Sequence, residues 1–154
     1  MPDQQPERWR LATAVDARLE NELTERLVEF NVSRSDAVRE RFMPGNLASV
    51  PLHAFAVDEQ DHLIGGCTAR VEAVWHWVTI DTMWVRERCR GRGIGLGLLR
   101  SIEDQARRLG CRWSDVTTFD FQAPAFYRRA GYEEYGVKRD YPPGHSNHYL
   151  RKTL

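Results

Sequence analysis

The sequence predicts an α/β domain of the α+β kind, a mixed and mostly antiparallel sheet with helices on both of its faces. Three observations lead there. Residues 52–85 read as three strand-like runs joined by short connections, which makes an antiparallel section. Residues 77–119 read as strand, glycine turn, helix and strand, which makes a parallel pair with a helical crossover. The apolar residues also change period, from three or four up to Phe30 to two after Leu52.

Taken in order, residues 1–8 are expected to be a loose tail and Trp9–Ala14 a short strand. Leu19, Leu23, Leu27 and Phe30 then mark one face of an amphipathic helix, with Glu20, Glu22, Glu25 and Arg26 between them. Ser33–Arg41 add a shorter helix, with Ser35 as its cap and Pro44-Gly45 as its stop. Leu52–Val57 and His62–Val71 are strands around the polar turn Asp58-Glu59-Gln60-Asp61. Gly65-Gly66 inside the second marks a bulge or a close backbone approach. Trp77–Val85 is a third strand, rich in β-branched and aromatic residues.

The helix Leu96–Leu109 carries Leu99, Ile102, Ala106 and Leu109 on its apolar stripe. Glu103–Arg107 and Asp104–Arg108 are favourable pairs four apart, and Gly110 stands where a helix stop belongs. Trp113–Phe119 is the next strand, and a helix over Gln122–Ala130 ends at Gly131. Tyr132–Lys138 and Tyr149–Thr153 close the sheet as a final pair. The expected order is β-α-α-β-β-β-α-β-α-β-β.

The 154 residues suit one domain, residues 1–154, large enough to bury a core without staples. Twenty-two basic and twenty-two acidic side chains cancel, which argues against nucleic-acid and anionic-membrane partners because both need a basic excess. Cys67, Cys89 and Cys111 are an odd count with no metal-ligand spacing, so no metal is expected. The N-terminal residues lack the basic and apolar segments of a signal peptide, and no apolar stretch approaches the ~20 residues that span a bilayer. Reduced thiols in a cytoplasmic protein are the expectation.

The chemistry starts at Arg90-Gly91-Arg92-Gly93-Ile94-Gly95-Leu96, between a strand and a helix. Glycines let a backbone approach a ligand closely. The first turn of the following helix offers free N–H groups and the positive end of its dipole. Arg90 and Arg92 add charge, so the turn reads as a phosphate site. The dinucleotide fingerprint G-x-G-x-x-G fails at Leu96 or Leu98, and the G-x-x-x-x-G-K-[ST] loop is absent. What stands there is R-x-x-G-x-G, formed by Arg90, Gly93 and Gly95.

With that motif the chain resembles the GNAT superfamily of N-acetyltransferases, whose pyrophosphate loop follows [Q/R]-x-x-G-x-[G/A]. The flanks are similar too, with Met83-Trp84-Val85 ending the preceding strand and Gly95-Leu96-Gly97-Leu98-Leu99 entering the helix. A second segment, Phe119–Tyr132, resembles that family's N-x-x-A-x-x-x-Y-x-x-x-G-[F/Y] element through Ala123, Tyr127, Gly131 and Tyr132. Asp120 stands where the family has asparagine, which puts one side-chain contact to the cofactor in doubt.

The resemblance implies direct acetyl transfer from acetyl-CoA (coenzyme A as co-substrate, no metal) to an amine. It implies a coenzyme site on Met83, Trp84, Val85, Arg90, Gly91, Arg92, Gly93, Ile94, Gly95, Leu96, Ala123 and Phe126. It implies Tyr127 as the acid for the leaving thiolate, and an oxyanion donor among the N–H groups near the end of the Trp77–Val85 strand. Homodimers are common in that family, so a homodimer is among the expected assemblies. The acceptor pocket would come from the early helices and the loops around Phe42–Leu52 and Ala73–His76.

A lysine-like amine has a pKa of ~10.4, so freeing its lone pair at pH 7 costs about 4–5 kcal/mol, and a base is useful. Asp81 is the candidate base, since alternation puts it on one face with Met83 and Val85 and a carboxylate in an apolar strand needs a partner or a task. A structural hydrogen bond is its competing use. Glu72, His76 and His145 are further titratable groups to place. For Trp75, Trp77 and Trp84, core packing and an aromatic pocket for an amine cation are both open. A small-molecule amine is the first acceptor reading; a protein N-terminus or lysine, or a silent acyl-CoA-binding module, are the alternatives.

Overall fold

The computed structural model describes residues 9–154, and the chain divides between Arg39 and Glu40 into two units. The expected loose tail, residues 1–8, lies outside the described residues. In the first unit, helix α1 (Ala17–Arg34) starts at Asp16, whose side chain accepts from the N–H groups of Arg18 and Leu19 at 3.0 and 3.1 Å. Trp9–Ala14, expected as a strand, has no regular structure. Alternation is only a preference, and a strand exists by virtue of the neighbour that completes its ladder. Among the described residues the sheet therefore has six strands rather than seven. Helix α2 (Asp36–Arg41) follows with Ser35 as its cap, the hydroxyl accepting from Val38 N at 3.3 Å.

The second unit holds the sheet. Strands β1 (Val50–Val57), β2 (Leu63–Glu72), β3 (Trp77–Val85), β4 (Trp113–Phe119), β5 (Glu133–Arg139) and β6 (Ser146–Thr153) lie in the order β1-β2-β3-β4-β6-β5. Only β3 and β4 pair in parallel, and helix α3 (Ile94–Arg108) is their crossover. Helix α4 (Pro124–Arg129) links β4 to β5.

One face of the sheet makes the core. Leu52, Cys67, Ala69, Val71, Val78, Ile80, Val116 and Leu150 are buried there, and α3 covers them with Leu98, Leu99, Ile102 and Ala106. Full burial of such side chains contributes about 1.5–3 kcal/mol each. Leu109, expected on the stripe, is 45% exposed because the helix has already ended before Gly110, which has φ +83°.

Glu103 is the unexpected member of that face. It is 2% exposed, and Lys152 Nζ from β6 reaches both of its oxygens at 2.9 Å. Tyr132 OH donates to it at 3.2 Å and meets Ser114 Oγ at 2.8 Å. The Arg107 guanidinium lies 3.7 Å away, and Arg107 also reaches Asp104 at 2.6 Å.

Gly65-Gly66 is a close approach. A Cβ at Gly65 would stand 3.2 Å from Leu98 Cδ1 and from Trp84 O, and one at Gly66 would stand 3.0 Å from the Phe55 ring. The bulge lies further along. Thr68 pairs with Thr82 but Ala69 with Ile80, which leaves Asp81 as the extra residue of β3.

Candidate active site

The parallel ladder between β3 and β4 runs only from Trp77/Trp113 to Ile80/Val116. Beyond Ile80 the bulge at Asp81 turns β3, and the two strands part. Thr82–Val85 keep their outer ladder with β2, and Thr117–Phe119 keep theirs with β6. Among the described residues their inner edges have no partner strand, so the strands form a fork whose arms carry unpaired backbone donors and acceptors. Below the fork the pair is held shut by the Trp77–Trp113 stack, centroids 5.8 Å apart, and by Thr79 Oγ1 donating to Asp115 at 2.7 Å.

The carboxyl end of the β3 arm runs into the glycine turn. Gly91 and Gly93 take φ of +73° and +80°, the left-handed region that disfavours any side chain. A Cβ at either would meet nothing within 4 Å, so conformation and not crowding demands glycine there. Gly93 caps α3 without a side-chain bond, and Gly97 N is the first to find a helical carbonyl, Gly93 O at 2.9 Å. The N–H groups of Ile94, Gly95 and Leu96 precede that bond and face outward with the positive helix end. Arg90 turns back to donate its Nε to Val85 O at 3.0 Å, pinning the turn to the end of β3.

Helix α4 closes the other side. Tyr127 is 5% exposed and its hydroxyl donates to Met83 Sδ at 3.6 Å. Its ring packs edge-on against Phe126 at 5.1 Å and Tyr132 at 5.6 Å. A Cβ at Gly95 would come within 3.4 Å of Met83 Cε and 3.5 Å of the Phe126 ring, so the helix start, β3 and α4 converge on one spot. Burial pushes the Tyr127 phenol well above its ordinary range, so it holds its proton. Burial likewise pushes the thiol of Cys67, the β2 partner of Met83, up to about 12. Ala123, the residue before α4, gives its carbonyl to Phe126 N at 3.0 Å.

The structure thus brings Met83, Val85, Arg90, Gly91, Arg92, Gly93, Ile94, Gly95, Leu96, Phe126 and Tyr127 to the fork and the helix end beyond it. Two expectations need correction. Asp81 does not share a face with Met83 and Val85. The extra residue breaks the alternation, so Met83 and Val85 follow Val78 and Ile80 toward α3, while Asp81 lies with Thr79, Thr82 and Trp84 on the opposite face. There its carboxylate is ion-paired with Arg70. Nor do the three tryptophans form one aromatic pocket, the alternative to core packing. Trp77 stacks on Trp113 and Trp75 receives the Arg41 guanidinium at 5.8 Å, both at the start of β3. Trp84 is seven residues on, about 23 Å at ~3.3 Å per residue.

The remaining titratable candidates have partners. Glu72 accepts from Arg41 Nε at 2.7 Å, His76 Nδ1 meets Gly110 O at 3.0 Å, and His145 Nδ1 meets Asp120 Oδ1 at 3.0 Å. Asp120 also accepts from Ser146 N at 3.2 Å, which commits it to β6. The Ala73–His76 turn lies at the end of β3 opposite to the fork, so it does not border the fork's mouth. No helix among the described residues is long and apolar enough to cross a membrane.

Comparison with known proteins converges on one family. The family model described as the acetyltransferase (GNAT) family matches residues 17–132. A blasticidin-S acetyltransferase of Streptomyces morookaense is 39% identical over 133 residues, covering 84% of this chain and 96% of that protein. The crystal structure of an acetyltransferase from Bacillus cereus superposes with a TM-score of 0.74 at 32% identity, covering 94% of this chain and 98% of that one. An aminoglycoside 6'-N-acetyltransferase complexed with coenzyme A has the same fold, with a TM-score of 0.58 at 18% identity over 90% of this chain and 92% of that one.

Proposed function

The chain belongs to the GNAT family of acetyltransferases, and we propose that it moves an acetyl group from acetyl-CoA directly to the primary amine of a small molecule. The observation that carries this reading is the fork between β3 and β4, with an anion-binding turn at one end and the Tyr127 hydroxyl at its lip. The residues present fit the coenzyme. Left-handed glycines, free helix N–H groups and Arg92 suit a pyrophosphate, and an unpaired strand edge suits an amide-bearing arm. The blasticidin-S acetyltransferase named above supports a small-molecule acceptor. The family match, which runs from α1 past α4, supports reading residues 1–154 as one transferase domain. Three buried free thiols suit a cytoplasmic location.

When bound, acetyl-CoA supplies an activated thioester; the chain supplies everything around it. The N–H groups from Gly91 to Leu96 hold the pyrophosphate, and Met83, Trp84 and Val85 pair with the arm through their inner backbone edge. A donor N–H on that edge stabilises charge on the acyl oxygen, because it is fixed before the reaction begins. Asp81 stands where the fork opens, on the face away from α3, and receives the ammonium or its proton, directly or through water. Its Arg70 partner orients it, and an ion pair this exposed is worth at most about 1 kcal/mol, so a cationic amine can displace it.

Tyr127 hands its proton to the departing sulfur. Between an ordinary phenol and an ordinary thiol that transfer is uphill by about 1.5 units, or about 2 kcal/mol. Burial raises the phenol further, and a sulfur buried at the same place would be raised in the same direction, as Cys67 is. The test is a panel of amines with acetyl-CoA, following free thiol and the mass of the product. Acetylated product from a small amine is the expected result. Thiol release that only a protein N-terminus or lysine elicits, or none at all, would remove this reading.

A further inference from the structure

The transferase reading leaves the acceptor's chemistry open, and the ring cluster at the carboxyl end of β4 bears on it. Resting on that reading, we propose that the acceptor is a small amine carrying a flat ring, which lies on Phe121 and Tyr141 while the amine reaches into the fork. Phe119, the last residue of β4, is on the same sheet face as Asp81, because Ser114, Val116 and Thr118 take the core face. It stacks on Phe121 at 5.2 Å and 16°, and Tyr141 joins at 6.4 Å. His145 meets the Phe121 ring edge-on at 4.8 Å. These rings pack together yet stay open, with Phe121 58% and Tyr141 46% exposed.

Their position is continuous with the fork. From the last ladder residue, Val116, to Phe119 is three residues, about 10 Å at ~3.3 Å each. One molecule with its amine at the base of the fork and its ring on this ledge would need to span about that length.

The charges near the ledge favour a ring over a chain of cations. Asp120 is taken by His145 and Ser146, Asp140 accepts from Gly144 N at 2.8 Å, and Asp115 accepts from Thr79. Lys138 Nζ already stands 3.6 Å over Tyr141 and would repel a second cation. Asp81, by contrast, is held by the half-exposed Arg70, a pair that an amine can displace. A polyamine would meet the Lys138 ammonium, whereas a flat ring finds the exposed parts of the Phe121 and Tyr141 rings, contacts worth severalfold in affinity beyond the area they bury.

The experiment is the thiol-release assay with two amines long enough to span that length, 6-phenylhexylamine and 6-cyclohexylhexylamine, and with spermidine. The flat ring should exceed the puckered one in kcat/KM by about tenfold. The double variant Phe121→Leu/Tyr141→Leu should bring that ratio close to one while acetyl-CoA affinity, read by calorimetry, is unchanged. Equal rates for the two ring amines in the natural protein, or spermidine turning over fastest, overturn the inference and leave the transferase reading standing. No thiol release from any amine overturns the transferase reading, and the inference with it. The wild-type ratio decides even if the double variant does not fold.

Discussion

Gly93 and Gly97 lie four residues apart at the start of α3, and alanine at the two should act in opposite directions. Gly93 has φ +80° with open space around a future Cβ, so Gly93→Ala meets no clash and its cost is the left-handed strain alone, about 1–2 kcal/mol. Gly97 sits inside the helix, also with nothing within 4 Å and without a positive φ, so alanine there gains about 0.5–1 kcal/mol from reduced freedom of the unfolded chain. For a chain of this size about 1 kcal/mol shifts Tm by roughly 2–4 °C. Thermal melts should therefore show Gly97→Ala up by about 1–4 °C and Gly93→Ala down by about 2–8 °C. If the free loop instead relaxes to negative φ, the strain returns on binding, and coenzyme A affinity falls by about 5–30-fold while Tm holds. Gly93→Ala with both Tm and affinity unchanged would refute the left-handed turn and the anion cradle built on it.

Other expectations follow from the same contacts. Tyr127→Phe should lower kcat by about 100-fold with little change in acetyl-CoA affinity, read by steady-state kinetics beside calorimetry; unaltered kcat would take the phenol out of the reaction. Lys152→Met leaves the buried Glu103 with only the more distant Arg107 guanidinium and should cost about 2–4 kcal/mol in urea unfolding, whereas Glu103→Leu/Lys152→Met together should restore most of that loss. Glu134 is held below its ordinary value of 4.5, first by the hydrogen bond from His148 and then by Arg128. A depressed folded pKa gives stability that is present above 4.5 and lost as pH falls through the lower folded value. The gap in urea midpoint between the natural chain and Glu134→Gln should thus shrink from pH 5 to pH 3, and a constant gap would contradict it. All three cysteines are buried, so a thiol reagent at pH 8 should react slowly with the native protein and rapidly after unfolding.

What could be read from the residues was local. The α3 stripe, the glycine turn and the stop at Gly131 depend on neighbours within one turn of chain, and each stands within two residues of its expected place. The face of Asp81 was not local. Strict alternation joins it to Met83, and only the register against β2, a separate strand earlier in the chain, reveals the extra residue that separates them. Glu103 reads as a solvated partner of Arg107 because its real partner, Lys152, is 49 residues away. Trp9–Ala14 has the composition of a strand without a neighbour to complete it. The fork itself has no motif, since it arises where one ladder stops; a polar Asp81 among Ile80, Met83 and Val85 was the only trace of it in the sequence.

Titration calorimetry of acetyl-CoA into the natural chain and into Gly93→Glu asks whether the turn and fork hold the coenzyme. One acetyl-CoA should bind per natural chain, and the variant, with a strained carboxylate set among the phosphate-binding N–H groups, should give no measurable heat of binding. A folded Gly93→Glu protein that binds acetyl-CoA as tightly as the natural chain, or a natural chain that does not bind it, would contradict the assignment of the site.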